Sequence, residues 1–119
     1  MKEEFLNYWS TIKPLAMECA KHYPMMARIE AKGECTPEDE EIIKSMHDPL
    51  AAWNVGLLIG DISKGRPSLD LINSISNVTG TLEEGSTYWE NVWDNDFSSQ
   101  EAQNLCEFGR AVQKLRGLM

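Results

Sequence analysis

The chain has 119 residues, 42% of them hydrophobic and 25% charged, and its 19 acids outnumber 11 lysines and arginines for a net charge of −8. That length suffices for one domain with its own core, and the composition argues against whole-chain disorder. No apolar run approaches the roughly 20 residues of a bilayer span, and clustered positive charge, which nucleic-acid binding requires, is missing.

The N-terminus carries acids at Glu3 and Glu4, unlike a secretory leader. Cys19, Cys35 and Cys106 are too few and too scattered for a disulfide framework. A cytoplasmic protein with free thiols is the expectation.

In chain order, Phe5, Trp9, Ile12, Ala16, Cys19 and Tyr23 recur every three or four residues, so a first helix is expected from about Lys2 to Tyr23. Pro14 should bend or break it near Thr11 to Lys13. Pro24 opens a short second helix that Gly33 closes. Thr36-Pro37-Glu38-Asp39 starts a third, with Ile42, Ile43 and Met46 on its apolar face, and Asp48-Pro49 starts a fourth with Leu50, Trp53, Leu57 and Leu58 buried. Ile59 to Arg66 reads as a helix end and loop.

Leu69, Ile72 and Ile75 give another helical turn pattern ending at Gly80, although the β-branched content up to Val78 leaves a strand as the alternative. Thr81 to Gly85 is a polar link. Trp89, Val92 and Trp93 have helical spacing, and Ser98 with Glu101 forms a capping box for a last helix from about Ser99 to Leu115. The expected fold is all-α: a small irregular bundle of about six or seven short helices, with residues 1–119 as a single helical domain.

The charge is segregated. From Pro67 to Gly109 there are eight acids, Asp70, Glu83, Glu84, Glu90, Asp94, Asp96, Glu101 and Glu107, and no lysine, arginine or histidine, so this half carries the whole net charge. Tyr88, Trp89, Trp93 and Phe97 stand among Glu90, Asp94 and Asp96. Acids repel nucleic acid and anionic membrane and steer encounter with basic surfaces, while large rigid rings anchor contacts. Tyr88, Trp89, Glu90, Trp93, Asp94 and Asp96 are therefore the expected partner-binding residues. Trp89, Val92 and Trp93 at helical spacing fit a core face better than an interface, which leaves Tyr88 as the better candidate for exposure.

No catalytic, metal or cofactor signature stands out. Cys19 and His22 are three apart on a helix, without the paired cysteines of a structural zinc site. Gly56, Gly60 and Gly65 match no phosphate-binding pattern. Glu38 with Glu41, and Glu90 with Asp94, could each share a helix face and hold magnesium against a pyrophosphate, so a metal-dependent nucleotide hydrolase is an alternative. An oligomeric structural protein is another. The leading expectation is a noncatalytic factor of inhibitor, immunity or adaptor type that binds a protein with a basic surface, in one version by mimicking nucleic-acid charge; no cofactor is expected.

Overall fold

Five hydroxyl or carboxylate side chains, those of Thr36, Asp48, Ser68, Ser86 and Ser99, each accept a backbone N–H and so fix where a helix begins. In the computed structural model, which describes residues 1–94 and 96–119, seven helices follow one another: α1 Glu3–Cys19, α2 Tyr23–Lys32, α3 Pro37–Ser45, α4 Pro49–Ser63, α5 Leu69–Leu82, α6 Thr87–Trp93 and α7 Gln100–Arg116. Among the described residues there is no strand, and no helix is long and apolar enough to cross a membrane. The fold is the all-α bundle that the periodicity predicts.

Helix α4 is central, packing on α1, α2 and α5, and α7 closes the core against α1 and α5. Phe5, Val55, Leu58, Leu71, Ile75, Val78, Leu82, Leu105, Phe108, Val112 and Leu115 are sealed from solvent. Burial of each such side chain contributes ~1.5–3 kcal/mol, and this one cluster holds the fold together. Two glycines permit close approach. A methyl group on Gly56 would fall 2.1 Å from the Tyr23 ring, which also tilts against Trp53 at 4.9 Å and so seats α2 on α4.

Several local expectations are corrected. Helix α1 runs through Pro14 without a break; Pro14 is exposed, and the Ser10 carbonyl it fails to reach belongs to an exposed residue, where water can serve. It ends at Cys19, and Tyr23 starts α2 instead. Leu50 and Leu69 are exposed, and α5 buries Leu71, Ile75, Val78 and Leu82 while Ile72 stays 51% exposed. Thr81, read as link, is buried in the last turn of α5, its hydroxyl donating to the Asn77 and Val78 carbonyls. The last helix is capped by Ser99; Ser98 bonds Asp96, and Glu101 reaches across to accept the His47 backbone N–H at 3.0 Å.

The corner between α2 and α3 is held by charge rather than by buried apolar area. Arg28 donates to Asp39 at 2.6 Å, and Asp39 also accepts from the Thr36 backbone, completing a capping box. The Arg28 hydrogen bond, with that from Thr36, holds the Asp39 carboxyl below its ordinary value. A depressed carboxyl stabilises the folded state fully above the unfolded value near 3.9 and loses that contribution as pH falls through the folded value. In a carboxyl-detected pH titration, Asp39 should therefore titrate below the ordinary aspartate range and return toward it in Arg28→Gln. Titration at the ordinary value in both proteins would remove this account of the corner.

Candidate functional site

Helix α6 is short, and Ser86 starts it by accepting the Trp89 N–H at 3.1 Å. Trp89 and Trp93, four apart, share the buried face, whereas Val92, expected there with them, is 48% exposed. The helix is fastened from a distance. Asp48, only 2% exposed at the cap of α4, accepts from the Ala51 N–H at 3.0 Å, the Tyr88 hydroxyl at 2.9 Å and the Trp93 Nε1–H at 2.5 Å. A buried carboxylate is tolerated when donors replace its water and a helix N-terminus faces its charge. Tyr88 is thus half-buried rather than exposed. Burial, and then its bond to Asp48, push the phenol well above its ordinary pKa.

Around this carboxylate lies an aromatic cluster. Trp89 meets Trp93 at 4.9 Å and Phe97 at 5.2 Å, both edge to face, and His47 stands perpendicular to Trp93 at 4.5 Å. Among the described residues, buried Trp89 Nε1 and His47 Nε2 find no hydrogen-bond partner. A buried, unpartnered polar group costs ~1–3 kcal/mol, so the cluster gains area and loses polar satisfaction together.

Outside the cluster opens a cleft of about 430 Å³ between the α5–α6 turn, α6 and α7. Gly85, with φ of 79°, makes the turn that brings Glu84 to its edge. Trp89 and Phe97 supply aromatic wall, Glu84 and Glu90 carboxylates, and α7 contributes Cys106 and Arg110. Arg110 pairs with Glu84 only at 3.9 Å, and both side chains are exposed, so the pair is loose and can exchange partners. Burial raises the Cys106 thiol above its ordinary pKa, which keeps it protonated and weakly nucleophilic. The cleft therefore offers recognition groups: carboxylates for a cation, ring faces for its apolar stem, and a guanidinium free to regroup.

Of the expected binding residues, Trp89 and Glu90 line the cleft, while Tyr88 and Trp93 turn to Asp48. Asp94 is exposed at the end of α6 in a left-handed conformation with φ of 48°, which aspartate tolerates better than most residues. Asp96 is exposed too and accepts from the Ser98 hydroxyl at 2.7 Å and its N–H at 3.2 Å, bonds that lower its pKa. Two of the eight acids, Glu84 and Glu90, line the cleft; Glu107 lines a separate groove between α1 and α7. Cys19 and His22 do share a small cavity with Glu101, but burial and the nearby acids push that thiol up to about 12. Among the described residues no group of three or more histidines, cysteines or acids is placed to hold a metal ion.

Sequence reasoning missed Asp48 as a hub, Glu84 as part of the site, and Cys106 and Arg110 as the far wall. Arg110 lies one residue beyond the acidic stretch, so a count along the chain separates it from acids that it meets in space. Comparison with protein-family models, curated proteins and solved structures finds no match.

Proposed function

We propose that this protein acts by binding a partner protein with a basic surface, and that the cleft between α6 and α7 receives a cationic side chain from it. The observation that carries the reading is the pairing of Glu84 and Glu90 with the rings of Trp89 and Phe97 around one concavity. An arginine or lysine has the matching anatomy, since its stem packs on a ring face while its head meets carboxylates. Mimicry of nucleic-acid charge, a narrower form of this reading, draws less support: Glu101 is engaged with His47 and Glu107 lies on another groove.

A photo-crosslinking residue at Gln103, on the cleft wall, would capture the partner in the cell and allow binding to be followed with purified proteins. Reversing Glu84 and Glu90 to lysine should then slow association by about tenfold and flatten its dependence on salt, because rim charges act chiefly on encounter. Reversing Asp94 and Asp96, which lie outside the cleft, should do less. Unaltered association at two ionic strengths in the Glu84/Glu90 variant would overturn the proposal.

A further inference from the structure

We infer that the cleft is gated: α6 is a strap fastened to the start of α4 by Asp48, and its release swings away the wall that carries Trp89 and Glu90. The inference rests on the cleft being the binding site, and supplies its regulation. Beside the buried rings of Trp89 and Trp93, the polar part of the attachment is concentrated on one carboxylate, which holds Tyr88 and Trp93 from 40 and 45 residues away. Among the helices α6 has α5 as its main neighbour, and its polar link to α4 runs through the Asp48 side chain at that helix's cap.

The closed form also carries the means of its own release. Among the described residues Trp89 Nε1 and His47 Nε2 find no hydrogen-bond partner, and both are sealed from water. Lifting α6 gives both polar atoms access to water, so opening recovers part of what the Asp48 bonds lose. A cationic guest selects the closed form, because only there do Glu84, Glu90 and the rings of Trp89 and Phe97 surround one concavity.

Cys106 is the reporter. It lies on the opposite wall of the cleft, 9% exposed, and the charges acting on its thiol are those of Arg110 and Glu84 rather than Asp48. The intact protein alone is alkylated with iodoacetamide and the three cysteines are read separately by peptide mass spectrometry. Exposed Cys35 calibrates the reagent, and half-buried Cys19, in a cavity away from the cleft, reports general loosening. Asp48→Asn should raise Cys106 labelling about tenfold relative to Cys35 and leave Cys19 unchanged, the signature of a local opening. Tyr88→Phe, which removes one bond and keeps the carboxylate, should raise it by a smaller factor, about threefold, and serves as the test if Asp48→Asn does not fold. Unchanged Cys106 labelling, or a rise shared equally by Cys19, would overturn the gate. No partner enters this measurement, so it stands or falls separately from the charge-reversal kinetics.

Discussion

Replacing Gly109 with valine should lower stability by about 3 kcal/mol or more, since side chains forced into a close-packed core displace what surrounds them. Even a single methyl group at this position would lie 2.6 Å from the Leu82 carbonyl oxygen and 2.9 Å from the Leu82 Cβ. The first of these is backbone, which cannot rotate aside, so α5 and α7, which pack on each other here, would have to separate. For a chain of this size the loss corresponds to a fall of roughly 10 °C in Tm. Gly60 and Gly80 are the matched controls: both lie inside helices, and a methyl group there would meet nothing within 4 Å. Alanine at either should raise stability by about 0.5–1 kcal/mol, through the entropy that glycine loses on folding. A valine at Gly109 that left the thermal midpoint unmoved would mean that α5 and α7 do not cross this closely.

That crossing also explains what could and could not be read from the sequence. Helix starts were legible where capping is local: Thr36 and Asp48 need only the three residues after them, whereas of two adjacent serines the pattern pointed to Ser98 and the cap is Ser99. Buried faces were legible where a helix has one apolar side, as α1 does with Phe5, Trp9, Ile12 and Ala16. They were not legible in α4, which is apolar almost all round because three helices pack on it, so Leu50 and Leu58 look alike in sequence although one is exposed and the other sealed. In α5 two apolar stripes compete, and contact with α4 and α7 selects the one through Leu71 and Ile75.

The site follows the same division. The concentration of acids and rings around α6 pointed to Trp89 and Glu90, which line the cleft, because a short helix with two tryptophans has to place both charge and aromatic area somewhere near. What the sequence hides is polar pairing at long range. Asp48 reads as an ordinary cap before Pro49, and Tyr88 as a ring left over from the tryptophan face; only the fold brings the two together across 40 residues. The same contact converts Tyr88 from an exposed anchor for a partner into part of the fastening behind the cleft.

The size of that fastening can be measured. Asp48→Ala should destabilise the protein by about 4 kcal/mol, combining the loss of a helix cap, typically about 1 kcal/mol, with a buried Trp93 Nε1–H left without an acceptor and a Tyr88 hydroxyl that must turn toward water. Tyr88→Phe alone should cost only about 1 kcal/mol, because the carboxylate keeps two donors and the ring keeps its packing. The two losses are not independent. In the Asp48→Ala background the Tyr88 hydroxyl has no carboxylate to bond, so removing it as well should cost almost nothing further, and the double variant should match Asp48→Ala within about 0.5 kcal/mol. Denaturant unfolding of the four proteins closes this cycle. Strict additivity would mean that Tyr88 and Asp48 are not bonded in solution; a coupling of about 1 kcal/mol places the Tyr88 hydroxyl on the carboxylate on which the gate depends.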